Sequence, residues 1–205
     1  NSDMKKIILY ICLAVLVPIN FVMAECCPAG EPGNYVDACI VSDKEGNPVC
    51  TARYYKNGNI KEEIHYKEKQ IDGVAKNYYE NGNLEKEVTY VNGKKNGIAR
   101  TYYKNGQLKD ELSFVNDQPE GIQKLYYPNG NLRVERNLES GKIEGEAKVY
   151  YENGNLKSEC SFKDGKPDWC KTYELDGKLK LGCTYKDGKP DILCMSKWIL
   201  KKIFD

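Results

Sequence analysis

The feature that most constrains this chain is a repeat. Tyr-Tyr pairs stand at 54-55, 78-79, 102-103, 126-127 and 150-151, a constant step of 24 residues, and Asn-Gly follows each at 57-58, 81-82, 105-106, 129-130 and 153-154. Tyr173 with Asp176-Gly177 marks a sixth, degenerate copy. A fixed period held over this much chain means units that pack on their neighbours rather than around one central core. Each unit carries two turn signals. Asn-Gly favours a two-residue hairpin loop with both central residues at positive φ, and the second signal is Asn92-Gly93, Ser140-Gly141, Asp164-Gly165 or Asp187-Gly188. Between the turns the pattern alternates with period two: Leu84, Val88 and Tyr90 interleave with Glu85, Glu87 and Thr89, and Leu108, Leu112 and Phe114 repeat the arrangement. The expected fold is all-β, one hairpin per repeat.

Taking Asn81-Gly82 as a two-residue loop pairs Tyr79 with Leu84, Tyr78 with Glu85 and Lys76 with Glu87. The same rule aligns Arg100 with Glu111, Lys124 with Glu135 and Lys148 with Glu159, so that with Lys76 and Glu87 four successive units carry opposite charges at one position, each pair contributing roughly 0.2 to 1 kcal/mol. That recurrence supports the register. One face then carries Ala75, Tyr79, Leu84, Val88 and Tyr90, and the other carries Lys76, Tyr78 and the glutamates. Tyr54, Tyr78, Tyr102, Tyr126, Tyr150 and Tyr173 form one row, the candidate binding surface. Sixteen tyrosines against four phenylalanines fit such half-exposed aromatic positions.

The unit Gly-x-Ala-x-x-Tyr-Tyr-x-Asn-Gly-x-Leu, complete in residues 97–108 and 145–156, resembles the bacterial variant of the MORN repeat found in YwqK-like proteins, often described as antitoxin components. The resemblance covers roughly residues 50–194. It implies a single-layer antiparallel meander of stacked 24-residue hairpins, a role in binding proteins or membrane lipid head groups, and no catalytic residues. The array would follow an N-terminal cysteine-bearing cap at residues 25–49. It would precede a short C-terminal capping helix at residues 195–205, for which Ser196 is the N-cap candidate. That basic, amphipathic tail could also lie on a membrane surface.

Residues 1–24 read as a leader and signal peptide: Lys5 and Lys6 precede an apolar run from Ile7 to Val17, and Ala24 supplies a small residue before Glu25. The expectation is export, to a secreted, periplasmic or cell-surface location. Cys12 leaves with that segment, and Cys26, Cys27, Cys39, Cys50, Cys160, Cys170, Cys183 and Cys194 remain as an even set suited to an oxidising compartment. The register puts Cys170 opposite Cys183, with Cys160 and Cys194 one strand further out on either side. Bonds of Cys160 to Cys170 and of Cys183 to Cys194 respect the strand spacing, whereas Cys170 to Cys183 strands two thiols. Cys39 and Cys50 flank Lys44-Glu45-Gly46 as a hairpin staple would, leaving Cys26 and Cys27 to each other or to a partner.

Reactive constellations are not visible. His65 is the only histidine, the cysteines show no C-x-x-C spacing, and Asp164-Gly165-Lys166-Pro167-Asp168 and its copy at 187–191 lack the carboxylates of a calcium loop. The glutamate column at 63, 87, 111, 135 and 159 is most simply one side of the cross-strand ion pairs. The expectation is therefore no enzyme, no metal and no cofactor. With 31 basic and 30 acidic side chains, nucleic acid is not an expected ligand. The expected function is an exported interaction module or scaffold with a protein partner. The alternatives are a module that binds envelope glycan or lipid head groups, and an antitoxin- or immunity-like protein that binds a toxin.

Overall fold

The computed structural model describes residues 38–191, with side chains from Ile40 onward. Within them fifteen strands form one antiparallel sheet, from Ala38–Ser42 at one end to Lys189–Pro190 at the other. Each strand pairs with its neighbours in the chain; Gln70–Ile71 lies off the path, folding back on Ile60–Lys67 while Gly73–Tyr78 carries the sheet forward. The described residues contain no helix. The helix expected at residues 195–205 and the leader at residues 1–24 lie outside the described residues.

The two rims are built from different turns. At the Asn-Gly rim the Gly82 amide donates to the Tyr79 carbonyl at 2.9 Å and the Tyr79 amide donates to the Asn83 carbonyl at 2.8 Å. Gly82 sits at φ 87°, whereas Asn81 is not at positive φ. This is a type I turn closed by a glycine bulge, a three-residue loop, and it corrects the two-residue loop expected from sequence. Only the glycine must enter the left-handed region, and Asn81 is free to accept the Asn83 amide on its side-chain oxygen at 3.1 Å. From Glu68 onward the far rim uses tight two-residue turns with both residues left-handed, as at Asn92 (φ 50°) and Gly93 (φ 76°), while the first turn, Asp43 to Asn47, repeats the glycine-bulge form with Gly46 at φ 83°. Two of these carry no glycine, Glu68 with Lys69 and Asn116 with Asp117.

The longer loop displaces the pairing beside it. Tyr78 stands opposite Leu84, not Glu85, and the register recovers between Asn77 and Tyr78, so that Lys76 still faces Glu87. Arg100 faces Glu111, Lys124 faces Glu135 and Lys148 faces Glu159, as expected. Leu84 therefore joins Tyr78 on the charged face instead of the apolar one. A one-residue shift exchanges faces because side chains alternate along a strand.

With one layer there is little interior. Among the described residues the buried apolar side chains are Cys50, Ala52, Val88 and Leu138. One face has a small apolar seam in which Ala75, Val88, Ala99 and Leu112 pair in turn across four strands. It gives way to a polar chain: Gln123, 7% exposed, donates to Asp110 at 3.1 Å and accepts from the Arg136 Nε at 2.8 Å. Beyond that, Cys160 is bonded to Cys170 with their Cα atoms 4.1 Å apart, and Cys170 stands opposite Cys183.

Cohesion comes from the rims. The second tyrosine of each pair reaches one repeat onward: the Tyr79 hydroxyl donates to the Tyr102 carbonyl at 2.8 Å, and Tyr55, Tyr103, Tyr127 and Tyr151 donate likewise to residues 78, 126, 150 and 173. Asn81 and Asn83 both donate to the Lys104 carbonyl. On the far rim, carboxylates cap the next turn: Asp72 accepts the Asn92 amide at 2.9 Å, Glu120 the Ser140 amide at 2.9 Å and Glu144 the Asp164 amide at 2.7 Å. Each net hydrogen bond contributes about 1 kcal/mol, so stability is spread along the array in nearest-neighbour increments.

Candidate interaction face

The charged face is built around the ladder. Arg100 bridges two strands, with Nε 2.6 Å from Glu111 and Nη1 3.3 Å from Glu87, and these carboxylates raise its pKa further. Lys124 lies 3.5 Å from Glu135 and Lys171 lies 3.4 Å from Glu159. The pair expected between Lys148 and Glu159 is not made by the side chains: Lys148 turns to Glu146 on its own strand at 3.0 Å, and Glu159 is taken by Lys171 and by the Tyr173 hydroxyl at 2.7 Å. Partly exposed pairs of this kind each contribute less than about 1 kcal/mol, and their main effect is to hold the face polar and in register.

Tyr54, Tyr78, Tyr102, Tyr126, Tyr150 and Tyr173 do fall on this face, one per repeat. Each stands opposite an aliphatic partner, respectively Ile60, Leu84, Leu108, Leu132, Leu156 and Leu179. From Tyr54 to Leu156 the row is thus a half-buried stripe of tyrosine and aliphatic side chains, and it ends at Leu179, which is exposed. Tyr102 donates to Glu87 at 2.9 Å, and removal from water together with that bond pushes its ionisation up to about 12. The bond from Tyr173 raises its own pKa and lowers that of Glu159.

An apolar patch that the sequence reading missed lies on the same face. Ile98 and Ile122 stand two residues before Arg100 and Lys124, and Val91 and Val115 follow the inward Tyr90 and Phe114, so alternation turns all four to the ladder side. They sit on four consecutive strands and are 41%, 57%, 43% and 51% exposed. Isolated exposed aliphatics are ordinary; four on adjacent strands of one face form a patch.

At the Asn-Gly rim the strut tyrosines carry cations. Lys61, Lys109, Arg133 and Lys157 lie between 5.5 and 5.8 Å from the ring centroids of Tyr55, Tyr103, Tyr127 and Tyr151. Tyr79 is the exception, with Glu85 at the equivalent position, and burial followed by that negative charge raises its pKa. A shallow depression of about 340 Å³ opens there, lined by Asn77, Tyr79, Glu85, Thr101, Tyr102 and Lys109 among others.

The cysteine placements divide. The bond from Cys160 to Cys170 is present. Cys50 and Cys183 are also disulfide-bonded, to partners outside the described side chains, where Cys26, Cys27, Cys39 and Cys194 fall. In the backbone register Cys39 stands opposite Ala52 and Cys50 opposite Val41, so the two are offset by two residues rather than directly across a symmetric hairpin. One residue of that offset comes from the turn closed between Asp43 and Asn47, which sets Ser42 opposite Pro48, and the other from an irregularity between Val41 and Ser42. The register also gathers Cys50, Glu63 and His65, which sequence reading kept apart.

No curated protein matches the chain. Among solved structures, the crystal structure of accessory secretory protein 1, 2 and 3 in Streptococcus pneumoniae aligns at 14% identity and a TM-score of 0.18, over 77% of this chain and 21% of that one. The chain thus spans about a fifth of that solved chain, and the likeness carries no argument. The family model described as MORN repeat variant matches residues 52–68, 71–92, 95–116, 119–140 and 143–164, just over half of the sequence. Its boundaries follow the hairpin period seen in the sheet, and the chain belongs to the MORN repeat variant family.

Proposed function

We propose that this chain is an exported, non-enzymatic interaction module whose charged face docks a partner protein. The observation that carries the reading is the exposed patch of Val91, Ile98, Val115 and Ile122 beside the tyrosine and leucine stripe: aliphatic and aromatic area framed by ion pairs is what a protein interface offers. The disulfides support an oxidising location and hence export. An antitoxin-like or immunity-like role is the special case in which the partner is a toxin.

The test is capture of partners from envelope and culture fractions by the oxidised chain, in parallel with an Ile98→Lys, Ile122→Lys chain. These side chains are exposed, so the variant should keep its unfolding midpoint. A stoichiometric protein held by the parent and lost by the variant supports the reading. Equal capture by both places the interface elsewhere and sinks the assignment of this face.

A second reading, binding of an envelope glycan or a cationic head group, rests on the depression at Tyr79. The other strut rings carry the chain's own cations, and this one has a carboxylate beside it, which suits a cation against the ring face. Recovery of the chain on purified cell-wall material, abolished by Glu85→Lys, would support it.

A further inference from the structure

The first repeat departs from the others at three positions, and the register brings all three departures together. Where later units have Val74, Ile98, Ile122 and Glu146, the first has Cys50; where they have Lys76, Arg100, Lys124 and Lys148, it has Ala52; where they have Thr89, Ser113, Asn137 and Ser161, it has His65. The ladder glutamate is kept as Glu63. Cys50 stands across the strand pair from His65 and Ala52 across from Glu63, so all four share one face. One ligating atom from each of Cys50, Glu63 and His65 lies within 4.8 Å of the other two. Cys50 and Glu63 are 5% and 7% exposed, and the His65 Nε2 lies 3.6 Å from Glu63. Ala52, 2% exposed, puts neither charge nor bulk where Arg100 holds Glu111.

We propose that Cys50, Glu63 and His65 form a redox-gated zinc site. A thiolate, an imidazole and a carboxylate are the donor set this ion takes, and three protein ligands leave a fourth position for water. The gate is the Cys50 disulfide, which withholds the sulfur. A dithiol reductant opens it: the dithiol gives two electrons and two protons, the S–S bond breaks, each sulfur becomes a thiol, and the dithiol becomes a cyclic disulfide. Zn²⁺ then replaces the proton on the Cys50 thiol, which passes to solvent, and binds the neutral imidazole of His65 and the carboxylate of Glu63. The two negative ligands balance the charge of the ion.

His65 is the only histidine of the chain, so its imidazole resonances report this site without ambiguity even though reduction frees other thiols. The experiment adds one equivalent of Zn²⁺ to the full chain, oxidised and reduced, and follows those resonances, with a far-ultraviolet dichroism spectrum of each sample. The expected result is a shift in the reduced chain and none in the oxidised chain. Cys50→Ser should abolish the shift, and Glu63→Gln should weaken binding at least ~10-fold, the smaller of the losses seen even for outer-shell partners. An unmoved His65 in the reduced chain, an equal shift in the oxidised chain, or a shift that survives Cys50→Ser overturns the proposal. Loss of the sheet on reduction also overturns it, because only the paired strands bring the three ligands together.

Discussion

Tyr102 and Tyr103 are adjacent in sequence and do different work. Tyr103 ties its repeat to the next through its hydroxyl bond to the Tyr126 carbonyl, while Tyr102 turns to the ladder face and bonds Glu87. For the strut position, Tyr127→Phe removes the bond to the Tyr150 carbonyl and should lower stability by about 1 kcal/mol, read as a lower urea midpoint at unchanged slope. For the ladder position the sign follows from the direction of the shift. The Tyr102 pKa in the folded chain lies above its ordinary 10.0, so its contribution is complete below about pH 10 and is lost as pH rises through about 12. A phenolate absorbance titration should show a late component that Tyr102→Phe removes. Glu159 behaves in the opposite sense: its pKa is depressed, chiefly by the Tyr173 hydroxyl, so its contribution is present above its ordinary 4.5 and fades as pH falls below it. Tyr173→Phe should return the Glu159 carboxyl toward its ordinary titration, as seen by carboxyl carbon NMR. The Tyr-Tyr repeat and the face of each tyrosine are plain in the sequence, because alternation puts Tyr78 beside Lys76, but the strut role of Tyr79 is not, because the carbonyl it bonds lies in the next repeat.

At the scale of the hairpin, the two rims predict opposite responses to the same residue type. Gly154 sits at φ 89° with nothing within 4 Å of where a Cβ would be, so Gly154→Ala should cost about 1 to 2 kcal/mol through backbone conformation alone. Lys69, at φ 65° in a far-rim turn, is already paying that strain, and Lys69→Gly should raise the thermal midpoint. Calorimetry on the two variants checks both signs. The far-rim turns with glycine were legible from composition, whereas Glu68 with Lys69 and Asn116 with Asp117 were not. Their conformation is imposed by flanking strands and by neighbours such as Lys95, whose carbonyl accepts the Asp117 amide at 2.9 Å and whose amide donates to the Asp117 carboxylate at 2.8 Å. The disulfide between Cys160 and Cys170 was legible because strand alternation and spacing leave few bonds within reach, and the structure shows that bond.

At the scale of the molecule, each hairpin touches its neighbours and the array has no shared interior, which makes it divisible by whole repeats. Deleting residues 95–118 removes one period, joins Lys94 to Pro119 and should leave a folded, shorter sheet with cooperative unfolding. Deleting residues 95–106 removes one strand direction and should not fold; circular dichroism and denaturant melts separate the two outcomes. The candidate face was partly legible at this scale. The charge ladder and the tyrosine row follow from alternation, but the patch of Val91, Ile98, Val115 and Ile122 combines residues that precede far-rim turns with residues that follow the positive-φ Gly97 and Gly121, and its members look like ordinary strand residues one at a time. The cluster of Cys50, Glu63 and His65 left a signal that period alone could have raised, three departures from the repeat in one unit, but its meaning required the pairing of Cys50 with His65. The sequence by itself determined the period, the hairpins, the alternation and the cross-strand alignment of the charged positions, because these are local or nearest-neighbour properties that recur from unit to unit. Tertiary structure decided the turn at each Asn-Gly, the face on which Leu84 lies and the company His65 keeps, because a single bulged residue shifts the pairing beside it and every side chain it shifts changes sides.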